Sequence, residues 1–289
     1  MRKLSVALAV FNESENLARC LDSIKLIADE IIIVDGGSTD NTVEIAKKYT
    51  QNVIITSNPP IFHINKQKAI DACHEEWILQ LDADEEVSKE LGDEIFGVVR
   101  MSDSERELYK IPLEKERLFH RHQKNIEERD GIKEFTERPI VGYYLPRRNF
   151  FLGKAMTYAG MYPDGVIRLF KNGKGYFPSE SVHEQIHIEG RVNWLQHDLF
   201  HYSNPTFARY KAGAEKYTNL LVEEMKKEKK SNGSLFWSYG VVKPTVTFFS
   251  LFICHKGILD GVHGFLFSFF SALHFPLALW KYMHRFTTP

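Results

Sequence analysis

Trp77-Ile78-Leu79-Gln80-Leu81-Asp82-Ala83-Asp84-Glu85-Glu86 decides how this chain reads. The mostly apolar residues 77–81 form a strand of the kind that sheets bury, and the strand stops abruptly in Asp82, Asp84 and Glu85, three acids within four positions. In open α/β sheets ligands bind just outside the carboxyl ends of the strands, so acids placed there face a binding site. Two carboxylates one residue apart can share the work around a hard divalent cation. One binds directly and the other acts through water or a ribose hydroxyl, while the cation bridges two phosphates. The pattern suggests a nucleoside diphosphate, although taken alone such acids just as readily cap the next helix.

The residues upstream supply the rest of such a sheet. Residues 4–11 are a short apolar run suited to a fully buried parallel strand. A polar turn, Asn12-Glu13-Ser14-Glu15-Asn16, follows, with Ser14 the candidate cap of a helix carrying Leu17, Leu21 and Ile24 on one face. A second strand over 31–34 ends in Asp35-Gly36-Gly37-Ser38-Thr39-Asp40. The glycines there allow close approach of backbone to a ligand, and the polar residues open a helix over 42–49. A third strand at 53–56 and a helix at 66–73 lead to the strand at 77–81. This alternation predicts an α/β layer with a mostly parallel sheet flanked by helices.

Beyond residue 100 the alternation is harder to follow. Residues 101–140 are charge-rich and read as a polar helix or a mobile insertion. Sheet texture returns around 141–145, 162–170 and 181–186, next to the polar groups Arg147-Arg148-Asn149, Asp164, Arg168 and His183-Glu184, as where sheet edges and loops line a cleft. Past Pro205 the composition changes. Residues 207–230 have helical spacing with a basic end, residues 231–234 break it, and the remainder is rich in phenylalanine. We expect a catalytic domain over 1–204, with 101–140 a possible insertion, and a helical extension over 205–289.

Lys+Arg 37 against Asp+Glu 38 leave a net charge of −1, so no global basic field points to nucleic acid as a partner. Cys20, Cys73 and Cys254 are odd in number and far apart, which argues against a disulfide framework or a paired-cysteine metal site. The chain enters its first strand without the apolar run of a signal peptide, and a cytoplasmic setting is expected. In the tail, the best apolar run, 265–280, contains His274 and Pro276 and falls short of the roughly 18 clean residues of a membrane span. Its aromatics, with Lys281, His284 and Arg285 close behind, fit helices lying in a membrane interface, peripheral on the inner face of the cytoplasmic membrane. A helical subdomain packed on the core or a dimer seam accounts for the same residues.

Four features, residues 11–13, residues 35–40, Asp82-Ala83-Asp84 and the later His183-Glu184, resemble in order and spacing the inverting family 2 glycosyltransferases with a GT-A fold. The likeness is strongest over residues 1–95. It looks closest to bacterial lipopolysaccharide-core β-glycosyltransferases, through residues 77–86, 164–170, Val182-His183-Glu184 and Lys256-Gly257-x-x-Asp260-Gly261-x-x-Gly264. The resemblance implies metal-dependent transfer of a sugar from a nucleotide-diphosphate donor, foremost a UDP-hexose such as UDP-glucose, to a hydroxyl of a lipopolysaccharide-core or lipid-linked saccharide. It implies that Phe11, Asn12 and Glu13 hold uracil and ribose, that Asp35 beside Gly36 accepts a hydrogen bond from the base, and that Asp82 and Ala83 face the ribose or the metal's water shell. Asp84 would bind Mg2+ or Mn2+, with Asp82 and His201 as further ligands. An inverting transfer also needs a base for the acceptor hydroxyl, and Glu184 is the choice, with Asp164 in reserve.

Other residues are candidates on their chemistry alone. Arg147, Arg148 and Arg168 have the fork geometry for a diphosphate or an anionic acceptor, and Lys66 and Lys68 open a helix near the phosphates. A nucleotidyltransferase would also use paired acids on an α/β sheet, but it needs a glycine-rich basic loop after the first strand where this chain has Asn12-Glu13-Ser14-Glu15. The alternative of another class is a non-catalytic nucleotide-sugar-binding scaffold of a membrane glycan assembly.

Overall fold

A computed structural model describes residues 3–130, 139–178, 186–227 and 232–286. In chain order the elements begin β1 (Leu4–Val10), α1 (Leu17–Ile24), β2 (Glu30–Asp35), α2 (Thr42–Ala46), β3 (Val53–Ile55), α3 (His63–Asp71) and β4 (Trp77–Leu81). They continue with β5 (Glu85–Val87), α4 (Lys89–Val98), α5 (Asp103–Leu108), α6 (Leu113–Asp130), β6 (Ile140–Phe151), β7 (Lys154–Ala155), β8 (Asp164–Lys171) and β9 (Gly175–Tyr176). The chain closes with β10 (His187–Ile188), β11 (Arg191–Trp194), β12 (Leu199–Asn204), α7 (Phe207–Lys227), α8 (Asn232–Leu235), α9 (Lys243–Phe249) and α10 (Val262–Phe286). Two compact units form: Met1–Arg147 with Pro163–His201, and Arg148–Tyr162 with Tyr202–Pro289.

The first unit is an α/β layer whose sheet runs β3-β2-β1-β4-β8-β6. The strands β3, β2, β1 and β4 are mutually parallel, β8 joins β4 antiparallel, and β11 adds to β6 in parallel. Both faces are covered, which explains why the strands read as apolar runs and not as alternations. Leu4, Val6, Leu8 and Val10 of β1 pack with Leu17, Leu21 and Ile24 of α1 and Leu91 and Ile95 of α4. On the other face Ala7, Val34 and Ile78 pack with Ala69 and Ile70 of α3 and Phe119 of α6. Register does the positioning: Val10 pairs with Asp35 and Leu8 with Leu81. Three strands therefore end together, and the loops after them share one edge.

Several local expectations change. Ser14 does not cap α1: Asn16 occupies the cap position, without a side-chain cap bond, and the Ser14 N–H donates to Asp40 instead. Within the charge-rich segment α6 is a polar helix, anchored by the fully buried Phe119, which stacks on Trp194 at 4.5 Å. The acids after β4 do not run straight into a helix, because Glu85 opens β5, which pairs antiparallel with β12.

In the second unit, α9 and α10 are joined by the tail motif noted above. The carboxylate of Asp260, itself buried, accepts the N–H of Thr157 (3.3 Å) and of Tyr158 (2.8 Å), and the Lys154 ammonium donates to its carbonyl. Gly264 permits the closest approach, since a Cβ there would sit 1.8 Å from the carbonyl oxygen of Gly257. Against the expectation that His274 and Pro276 interrupt it, Val262–His284 of α10 is long and apolar enough, by length and composition, to cross a membrane, and 28% of its apolar window is buried. Gly264→Ala should force the turn away from α10 and destabilise this unit by about 1–3 kcal/mol, as overpacking does. Hydrogen exchange should speed up over residues 243–270 and leave β1 and β4 protected.

Candidate active site

The edge formed by the ends of β1, β2 and β4 collects the polar loops. After β2 the chain turns sharply at Gly37, whose φ of +83° and 3.2 Å approach of a would-be Cβ to the Thr56 carbonyl both favour glycine. Fully buried Asp35 holds that turn: one oxygen accepts the N–H of Gly37 (2.9 Å) and Ser38 (2.8 Å), the other the Ser38 hydroxyl (2.5 Å). Asn12, at φ 54°, closes the loop against its neighbour, donating its N–H to Ser38 and accepting from the Thr39 N–H at 2.8 Å each. The Glu13 N–H donates to Thr42, Phe11 is 42% exposed, and Gly36 packs against Asn58.

After β4 the acids divide into two settings. Both oxygens of Asp82 face cations at 2.5 Å, Oδ1 the Lys66 ammonium and Oδ2 the Arg168 guanidinium. Burial opposes the charge on Asp82, but Arg168 and Lys66 outweigh it and hold the carboxyl well below the usual range. Burial pushes the Lys66 ammonium down, against the pull of Asp82. For Arg168 burial acts in the same unfavourable sense, and Asp82 and Glu85 more than offset it, leaving the guanidinium firmly charged. Asp84 instead lies by His201, with Oδ2 3.5 Å from the imidazole Nε2. Glu85 pairs with His201 across β5 and β12, and that register brings residues distant in sequence together.

The remaining sequence candidates fall into place unevenly. Arg147 holds Asp164 through two nitrogens at 2.6 and 2.9 Å, and Lys68 donates to the Thr56 hydroxyl. Ala83 is buried under the turn. Arg148 belongs to the second unit, where it lies 4.4 Å over the Tyr162 ring. Glu184, with His183 beside it, lies outside the described residues. Among the described residues no three His, Cys, Asp or Glu side chains gather into a metal group. Asp84 and His201 bring two possible donors, a carboxylate oxygen and an imidazole nitrogen, side by side at this edge. Sequence reasoning missed Glu85, which is fully buried beneath this edge. Its signal was present: it begins the alternating Glu85-Glu86-Val87 strand directly after the motif.

A parallel four-strand core that continues antiparallel, with an acidic turn after β4, is the GT-A form of the α/β fold. Residues 5–155 match the family described as Glycosyl transferase family 2, and the chain belongs to that family. A Rickettsia conorii protein named as an uncharacterized glycosyltransferase, RC0292, is 28% identical over 266 residues, 91% of this chain and 84% of its own length. A Rhizobium meliloti protein named as the lipopolysaccharide core biosynthesis glycosyltransferase LpsC is 25% identical over 287 residues, 93% of this chain and 90% of its own. Among solved structures, glucosyl-3-phosphoglycerate synthase from Mycobacterium tuberculosis in complex with Mn2+ and uridine-diphosphate-glucose overlaps 29% of this chain and 34% of its own at 25% identity. The TM-score is 0.27, too slight an overlap to bear on the site.

The lowered Asp82 carboxyl has a sign that can be measured. Its folded state binds the proton less readily than the unfolded chain, so its contribution to stability is complete above the ordinary value of 3.8 and is lost as pH falls through the lowered folded value. Urea unfolding should therefore show the wild type losing stability below pH 3.8 more steeply than Asp82→Asn. Equal slopes would remove the linkage.

Proposed function

We propose that this family 2 enzyme transfers a hexose from a UDP-linked donor such as UDP-glucose, with inversion and with Mg2+ or Mn2+, to a hydroxyl of a lipopolysaccharide-core or lipid-linked saccharide. The observation that carries the donor half is the Asp84–His201 pair at the carboxyl edge of a parallel sheet, beside the cations Lys66 and Arg168. A divalent cation held by Asp84 and His201 would supply charge neutralisation at the departing diphosphate. In this reading Arg168 and Lys66, which now face Asp82, take phosphate oxygens, and residues 11–13 with the Asp35 turn take the nucleoside. The acceptor hydroxyl loses its proton to a carboxylate, and its oxygen attacks the anomeric carbon from the face opposite the diphosphate, which leaves with the bonding electrons. Glu184 is the base in this reading. Asp164 stays in reserve, its Oδ2 accepting from two nitrogens of Arg147.

The lipid half rests on the similarity to LpsC and on the tail. Val242, Val246, Phe249 and Ile253 are exposed at helical spacing, and Val262, Phe265 and Phe269 are exposed on α10. The single acid between 232 and 286, Asp260, is buried, which supports a reading in which the exposed face meets an anionic bilayer and the enzyme is peripheral on its cytoplasmic side. On this reading residues 1–204 form the catalytic domain and 205–289 its membrane-facing extension.

Two measurements test these halves. With Mn2+ present, UDP at a hundredfold excess over its dissociation constant should stabilise the protein by about 2.7 kcal/mol, more than GDP, CDP or dTDP at equal concentration. The metal-dependent part should vanish in Asp84→Ala and in His201→Ala; a shift that survives both would move the cation elsewhere. The double variant Val246→Glu with Ile253→Glu should lose sedimentation with anionic phospholipid vesicles while keeping its response to UDP, and retained sedimentation would refute the membrane assignment.

A further inference from the structure

We propose that Glu85 is a positioning residue of the donor site, a fixed counter-charge that holds Arg168, Arg147 and the Asp82 turn in the geometry that a diphosphate with its cation requires. The proposal rests on the donor reading given above. Three contacts, all within the first unit, define it. Glu85 Oε2 accepts the backbone N–H of Asp82 at 2.9 Å, which pins the turn that carries Asp82, Ala83 and Asp84. Its Oε1 accepts from Arg168 Nη2 at 2.8 Å and lies 3.4 Å from Arg147 Nη1. The side chain has no exposed surface, so it touches neither solvent nor substrate, and it acts only through the groups it holds.

The charges show why an acid is needed there. Lys66, Arg168 and Arg147 face Asp82, Glu85 and Asp164 in an alternating row, three cations against three carboxylates. Arg168 bridges three acceptors, with the Gln80 side chain taking its other terminal nitrogen. Without Glu85 its nearest anion would be Asp82 alone, and two guanidiniums would face each other in a poorly hydrated space. A nucleoside diphosphate that draws Arg168 off Asp82 leaves the guanidinium still anchored by Glu85 and Gln80. The fork therefore stays aimed when its partner changes. The β5–β12 pairing ties the same residue to the other ligand set, because Glu85 is in register with His201.

Glu85→Gln separates this role from a structural one. The amide keeps the size of the side chain and, through its carbonyl, the bond from the Asp82 N–H. Its NH2 group then points donor to donor at the guanidiniums. Calorimetry of UDP binding to the full chain in the presence of Mn2+ should show affinity falling about 10- to 100-fold, the usual cost of losing a group that orients ligand-bearing residues. Circular dichroism and the pH-neutral melting curve should stay close to wild type. If Glu85→Gln binds UDP and Mn2+ as the wild type does, with only a lower melting temperature, the residue is structural and the proposal falls. If Glu85→Gln does not fold, Glu85→Asp takes its place, since it keeps the charge but withdraws it by one methylene. Weakened binding in folded Glu85→Asp supports the role, and wild-type affinity overturns it. A wild type that binds no UDP at all defeats the donor reading itself and the proposal with it, an outcome distinct from the others because Glu85→Gln need not be consulted.

Discussion

The structure of this edge depends on one electrostatic constraint: a carboxylate at the end of a buried strand must be matched. Asp82 sits where β4 leaves a core that is closed on both faces, and an unmatched ion there would cost several kcal/mol in desolvation. Lys66 from α3 and Arg168 from β8 answer it from two directions. Each in turn is a cation brought out of water, and Arg168 needs Glu85 and Gln80 as well. The row of alternating charges that results reaches from α3 across β4 to β8 and β6, so the site is assembled by the sheet and not by one loop. Such a network adds little net stability. What it provides is fixed direction: a planar guanidinium whose two terminal nitrogens both meet acceptors, as in Arg168, is held in orientation.

The same constraint separates the two acids of the motif. Because Asp82 is occupied by Lys66 and Arg168, the chemistry open to Asp84 is set by a different neighbour, His201. That neighbour arrives through backbone pairing. Leu199, Phe200 and His201 pair with Val87, Glu86 and Glu85, a three-residue ladder that supplies no large core of its own. Its consequence is positional, since it delivers an imidazole to the carboxylate just before β5. Two acids with one residue between them thus serve different purposes, one bound into a cation grip and one beside a nitrogen donor.

How much of this was legible in the sequence follows from the range of the interactions. The parallel core could be read from residues 4–11, 31–34 and 77–81, because strands buried on both faces leave a local apolar signature. The residue types of the site were legible too, since Asp35, Asp82 and Asp84 all stand directly at strand ends. Ser14 misled, because its backbone N–H is taken by Asp40 and the helix starts at Asn16 without a side-chain cap bond, which local propensity cannot foretell. Pairings were beyond reach. Nothing near Lys66 announces that its ammonium meets Asp82, and nothing near residue 200 announces that β12 lies against β5. The first depends on how α3 packs against the sheet, and the second is made by strands far apart in the chain, in an antiparallel continuation that has no strict periodic signal. Glu85 was visible among the three acids of the strand end but had no role of its own, because Asp82 and Asp84 alone make the spacing that a shared cation calls for.

A third acid at this edge is not surplus charge. An exposed acid after a strand serves solubility, but an acid with no accessible surface and contacts to a backbone amide and two guanidiniums has a definite cost and must have a definite return. A hydrophobic residue in its place would pack the gap and leave Arg147 and Arg168 to share Asp82 and Asp164. The cations would then be held by the very carboxylates that a ligand must displace or orient. With Glu85 in place, Arg168 has an anchor that no ligand competes for, and Asp82 can change partners without the guanidinium moving. A site that must receive a highly charged ligand and release it again needs that separation between the charges that exchange and the charges that stay.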